Sequence, residues 1–161
     1  MDFEQRLQKA IERGQHRRDE KRREAESQAL SEEELKRLHS KYRLQLSEHI
    51  ENCVEKLSHH FPGFQYETIY GDRGWGAACS RDDIRIKRGA RDNDYSRLEM
   101  TIRPYSNFHV VDLTAKGTIR NKEVFSRNYF EKIEDVDPMK FIELVDVWVL
   151  EYAELYAAKT G

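Results

Sequence analysis

The sequence is poor in the residues that constrain a fold covalently or punctuate it locally: of 161 residues, two are cysteine, three proline and eight glycine. Cys53 and Cys79 are too few for a disulfide framework, which suits a reducing, cytoplasmic setting. No Pro-rich or Gly/Ser-rich linker and no internal repeat is present. No apolar run approaches the ~20 residues that span a bilayer. The opening Met1-Asp2-Phe3-Glu4-Gln5-Arg6 lacks the apolar region of a secretory signal. A soluble cytoplasmic protein with no membrane partner is therefore expected. Also missing are a nucleophile elbow, a G-x-x-x-x-G-K-[ST] loop, a metalloprotease helix and a kinase signature. No cofactor is expected on those grounds.

What the sequence has in quantity is charge. Lys, Arg, Asp and Glu make up 36% of the chain and nearly cancel, at a net −2. The cancellation is segmental. Residues 64–130 carry twelve basic and nine acidic side chains; residues 131–161 carry three and eight. Such asymmetry bears on association rather than on fold. From Glu12 to Ala29 the only apolar residues are Ala25 and Ala29, so that stretch cannot bury enough surface to offset the entropy of ordering it alone. Phe3, Leu7 and Ile11 precede it at i, i+4, i+8. Residues 1–30 thus read as a charged arm, helical or partly disordered, carrying a short apolar stripe.

Ser31-Glu32-Glu33-Glu34 reads as a capping box that opens a helix. Behind it Leu35, Leu38, Tyr42, Leu46, Ile50, Cys53 and Leu57 recur every three to four residues, down to His59-His60-Phe61-Pro62-Gly63. The period then changes to two. Ile84 and Ile86, Leu98 to Ile102, and Val111 to Ala115 alternate with polar residues, and 64–70 and 124–130 are β-rich. Asp137-Pro138 opens a last helix, an N-cap acid followed by proline at the first helical position. It carries Phe141, Val145, Trp148 and Tyr152 on one stripe and Ile142, Val149 and Tyr156 on a second. The expectation is an α+β fold, α–β5–α: a mainly antiparallel sheet covered on one face by two helices (about 32–60 and 137–159), plus the charged N-terminal helical arm. Residues 31–161 are expected to form a single domain. A last helix so broadly apolar needs burial on more than one side, which the helix at 32–60 or a second copy of the chain must supply; the second option is a homodimer through Val149 and Tyr156.

Several residues invite a chemical reading. His49 and Cys53, at i, i+4, have the spacing of half a zinc site; without a C-x-x-C or H-x-x-x-H pair, no metal site is expected, and Cys53 reads as a small core residue. Gly71-Asp72-Arg73-Gly74-Trp75-Gly76 reads as a wide hairpin turn needing positive φ, since a phosphate loop would feed a helix rather than a strand. Arg73 and Trp75 at its tip have the composition of an interface hot spot. If residues 78–86 alternate without a bulge, Ser80 and Asp82 share the face of Ile84 and Ile86. His109 then shares the face of Val111, and Asp82 with His109 makes an acid–base pair under the helices, the one catalytic candidate.

Three functions follow in order. The first is a non-enzymatic protein–protein interaction or adaptor module, binding a protein partner or itself, with Phe3, Leu7 and Ile11 as helix-in-groove anchors. The second is a small-molecule binder or enzyme with a pocket between sheet and helices lined by Tyr66, Ser80, Asp82, His109 and Trp148. The third is nucleic-acid binding through the basic sheet face, disfavoured by interleaved acids and a pI of about 6.3.

Overall fold

A computed structural model describes residues 2–87 and 89–160, without the side chains of residues 28–30, 85, 87 and 160. The elements run α1 (Phe3–His60), β1 (Gln65–Ile69), β2 (Trp75–Lys87), β3 (Ala90–Ile102), β4 (Val110–Ile119), β5 (Lys122–Lys132), a 3-10 turn at Ile133–Asp135, and α2 (Pro138–Thr160). The fold is α+β, and its sheet is wholly antiparallel in the order β1-β2-β3-β4-β5.

The chain divides into two compact units, one ending at Arg37 and the other beginning at Leu38. In the first, Asp2 caps α1, its Oδ1 accepting from the Gln5 N–H at 2.9 Å. The arm expected at 1–30 and the helix expected from 32 run on as one element. Ser31 lies inside α1 rather than at a helix start, because no Gly or Pro between residues 28 and 34 interrupts the backbone ladder. Phe3, Leu7 and Ile11 are all exposed, Phe3 by 77%.

In the second unit the remainder of α1 ends at His60, and Gly63, with φ of +101°, turns the chain toward β1. The Gly71–Gly76 segment is the expected turn: Gly71 and Gly74 have φ of +102° and +109°. Gly76, already in β2, lies so close to β3 that a Cβ there would sit 2.0 Å from the Met100 carbonyl oxygen. α2 starts as its sequence implies, with Asp137 Oδ1 accepting from the Met139 N–H at 3.1 Å. Helices and sheet meet over a filled interior: Leu46, Ile50 and Val54 of α1, Leu98, Met100, Ile102 and Leu113 of the sheet, and Phe141, Val145 and Tyr152 of α2 are all fully buried.

Strand parity in β2 departs from expectation. The positions facing the helices are Trp75, Ala77 and Cys79, registered on Ile102, Met100 and Leu98. Ile84 and Ile86 are exposed, Ile86 by 81%. They sit where β2 pairs with the polar segment Arg91–Asn93 of β3, which offers no apolar partner. Compared with them, the packed Ala77 and Cys79 are too small to dominate the hydrophobic pattern.

The opposite face is a charged ladder. Arg97 donates to Glu67 and Glu99, and Arg73 to Glu99, at 2.7 to 3.1 Å. These cations are matched by acids on the same face of the sheet.

Candidate functional site

Where α1 and α2 lie side by side, three donor atoms converge. His49 and Cys53, one turn apart on α1, face Asp146 on α2. His49 Nε2 is 2.7 Å from Asp146 Oδ1, and the Cys53 Sγ is 3.5 Å from each of them. Among the described residues this is the one cluster of three His, Cys, Asp or Glu side chains whose donor atoms all approach within 4.8 Å. The group is part-buried, with the His49 and Asp146 side chains 28% and 48% exposed, so an ion in solvent can reach it.

The arrangement is not that of a thiol nucleophile. A general base between Cys and Asp uses one ring nitrogen for each. Here the same Nε2 faces both, so it cannot accept from the thiol and donate to the carboxylate together. Burial, then the hydrogen bond to Asp146, pushes the Cys53 thiol up to about 11, away from thiolate at neutral pH.

Cys53 and Asp146 also line an open groove of about 500 Å³. Its walls are mostly apolar: Leu57 and Phe61 from α1 and the turn after it, Val149, Leu150 and Ala153 from α2, with Lys56 and His60 at the rim. Leu150 is 66% exposed, and Val147 and Leu44 are exposed as well.

A second cleft, of about 770 Å³, lies at the end of the sheet, bounded by Tyr105, Phe108, Phe130, Arg103 and Lys132. Asp112 contributes to it. Its Oδ1 is buried without a hydrogen-bond partner among the described groups, and burial raises its carboxyl above the usual range despite Asn128 and Arg103.

The residues singled out by sequence scatter. Asp82 and His109 do not meet. Asp82 is exposed opposite Tyr95, seven residues along β2 from Trp75, or about 23 Å at ~3.3 Å per residue. His109 precedes β4 at the Trp75 end of the sheet, with φ of +55° and its ring 5.8 Å from Tyr105. Asp82 falls on the outer face because Cys79, not Ile84, marks the inner one, and His109 lies outside the strand and so takes no part in its alternation. Tyr66 is half-buried on the helix side, its hydroxyl raised to about 12 by desolvation and then by Glu51 and Glu55. Ser80 falls on the other face, and Trp148 is buried in the core. None of these five lines either of the two clefts described above.

Trp75 is no loop-tip hot spot: it opens β2 facing α1, with the Arg43 guanidinium 4.1 Å above its ring. Arg73 is exposed and paired with Glu99. Val149 and Tyr156, expected at a dimer interface, are buried within the chain, Tyr156 between Phe61 and Phe64. α1 and the sheet cover most of the broad apolar surface that had suggested a second chain. Sequence reasoning missed Asp146, which lies on what reads as a polar strip of α2; only the pairing of two helices more than 90 residues apart brings it to His49 and Cys53.

No protein-family model, curated protein sequence or solved structure matches the chain. Among the described residues no helix is long and apolar enough to cross a membrane.

Proposed function

We propose that this chain is a non-enzymatic protein–protein interaction module of the cytoplasm, working as a homo-oligomer through a helix-in-groove contact. The observation that carries this is the apolar groove between α1 and α2, left open beside the exposed Leu150. A filled core supports a rigid scaffold better than a catalytic pocket. The occupant we assign is the Phe3–Leu7–Ile11 stripe of a second copy. It is exposed, and it spans about 12 Å at ~1.5 Å per residue, the same length as Cys53 to Phe61 on the groove wall. Apolar anchors spaced i, i+4, i+8 would seat against Leu57, Phe61 and Leu150, where non-directional burial of apolar area supplies the affinity.

Sedimentation of the full chain at micromolar concentration tests this. The expected result is a self-associated species that returns to one-chain mass with Leu7→Glu, with Leu150→Glu, or with deletion of residues 1–30. One-chain mass for the unaltered protein, or association indifferent to those changes, refutes it.

The Asp112 Oδ1, buried without a partner among the described groups, favours a second reading, a small-molecule site at the sheet-end cleft. A ligand with an aromatic ring and a hydrogen-bond donor would stack on Phe108 or Phe130 and satisfy that oxygen. A panel of aromatic amines, followed by amide chemical shifts, checks it. Shifts confined to Phe108, Asp112 and Phe130 support the site, and none at millimolar ligand removes it.

A further inference from the structure

We propose that His49, Cys53 and Asp146 form a binding site for a single zinc ion, with its fourth coordination position open to solvent at the end of the α1–α2 groove. The inference does not depend on what occupies that groove.

The donor set comes first. One imidazole, one thiol and one carboxylate match zinc, which takes nitrogen, sulfur and oxygen ligands; magnesium and calcium prefer oxygen alone. Three protein ligands with one open position is the arrangement of exposed rather than sealed zinc sites. Geometry comes second. A tetrahedral ion with bonds of ~2.05 Å to nitrogen and oxygen and ~2.3 Å to sulfur sets its ligand atoms about 3.4 Å apart for N–O and about 3.6 Å apart for each pair with sulfur. The two sulfur edges already stand at 3.5 Å. The His49–Asp146 edge, now a hydrogen bond at 2.7 Å, needs to open by roughly 0.7 Å, within reach of side-chain rotation at half-exposed positions.

Rigidity comes third. Two of the ligands sit at i, i+4 on one face of a helix and the third on the helix packed beside it, so backbone and core place all three before any ion arrives. That limits the ordering cost of binding. The same placement explains why Nε2 faces both partners, which is unproductive for proton relay and natural for donors around one point. Binding displaces the Cys53 thiol proton to solvent as the Zn–S bond forms, and His49 binds as the neutral imidazole through Nε2. The other thiol, Cys79, is buried in the sheet and cannot reach the site.

The experiment uses the full-length protein, freed of metal and reduced, with Co²⁺ as a spectroscopic probe and Zn²⁺ as competitor. One equivalent of Co²⁺ is expected to give a thiolate-to-cobalt charge-transfer band in the near ultraviolet, erased by one equivalent of Zn²⁺ and untouched by excess Mg²⁺. Cys53→Ser abolishes the band. His49→Ala and the isosteric Asp146→Asn each weaken Zn²⁺ affinity by at least about 100-fold, the upper end of what even outer-sphere partners cost. Cys79→Ser leaves both readouts unchanged. Alkylation of Cys53 by iodoacetamide slows when Zn²⁺ is present. No charge-transfer band in the unaltered protein, a band that survives in Cys53→Ser, or a Zn²⁺ affinity indifferent to His49 and Asp146 overturns the proposal. The first outcome requires no variant to fold.

Discussion

Replacing Tyr152 with phenylalanine should cost stability far out of proportion to the single oxygen removed. Tyr152 projects from α2 into the sheet, fully buried, and its hydroxyl donates to the Thr118 carbonyl at 2.8 Å. Thr118 sits where β4 and β5 slip. Gly117 opposes Phe125 but Thr118 opposes Glu123, leaving Val124 without a partner in the ladder. The tyrosine thus secures backbone beside a bulge.

Phenylalanine keeps the ring, which lies over Gly117 and against Phe125 and Tyr156, so the substitution isolates the hydroxyl. The lost bond is worth about 0.5–1.5 kcal/mol net, and an unsatisfied buried carbonyl costs about 1–3 kcal/mol. Because Thr118 is only half-buried, water recovers part of this, and about 1–2 kcal/mol is expected. At about 4 °C per kcal/mol for a unit of this size, melting falls by about 4–8 °C. With a urea m-value of roughly 1.5 kcal/mol/M the midpoint drops by about 1 M at constant m. Urea titration by circular dichroism measures this directly. A midpoint within about 0.2 M of the unaltered protein refutes the reasoning, since solvent would then be serving that carbonyl already. Tyr152→Ala, which also loses the ring, should cost at least about 3–5 kcal/mol.

Gly76→Ala should abolish soluble expression or cost more than about 3 kcal/mol, because its Cβ meets the Met100 backbone oxygen at 2.0 Å and a strand cannot step aside. Gly71→Ala, which meets nothing within 4 Å but keeps a φ of +102°, should cost only about 1–3 kcal/mol of backbone strain; melting temperatures of the pair separate collision from strain. His39 is buried against the Tyr105 ring with Nε2 unpartnered among the described groups, and desolvation holds its pKa below 6.5, the backbone of Arg103 opposing and Arg43 adding. The unfolded chain therefore takes up that proton first. The stability due to neutral His39 is full above the unfolded pKa of about 6.5 and is lost as pH falls from there toward the lower folded value. Urea midpoints at about pH 7.5 and about pH 5.5 should differ less in His39→Asn than in the unaltered protein, and an equal difference would exclude His39 as the titrating group.

The elements of this fold were legible wherever a period was long and its apolar residues large. Leu46, Ile50 and Leu57 mark the buried face of α1, Leu98, Met100 and Ile102 that of β3, and Asp137-Pro138 the start of α2. Legibility failed where packing relies on small residues. Ala77 and Cys79 carry the inner face of β2 but weigh little against Ile84 and Ile86, and the wrong face followed for Ser80 and Asp82. The cover of α2 was legible only as a choice between α1 and a second chain, and nothing local decides between them; in the structure Val149 and Tyr156 are buried within the chain. The His49–Cys53 half of the metal-ligand cluster stands in the sequence as an i, i+4 spacing. Asp146 does not, because an acid on a helix exterior has no local signature until the neighbouring helix is known.

The strand order carries a consequence for how the chain is made. A meander pairs each strand with its predecessor, so every hairpin can close soon after its second strand emerges from the ribosome. The helix pair works against this. The contacts of His49 and Cys53 with Asp146 span 97 and 93 residues, and Phe61 waits nearly as long for Tyr156. Throughout synthesis of the sheet, the buried face of α1 has no helix to lean on and must be shielded by a nascent sheet or a chaperone until the 23 residues of α2 arrive. Truncation anywhere within α2 should leave a chain with native strands but an unsheathed, aggregation-prone flank.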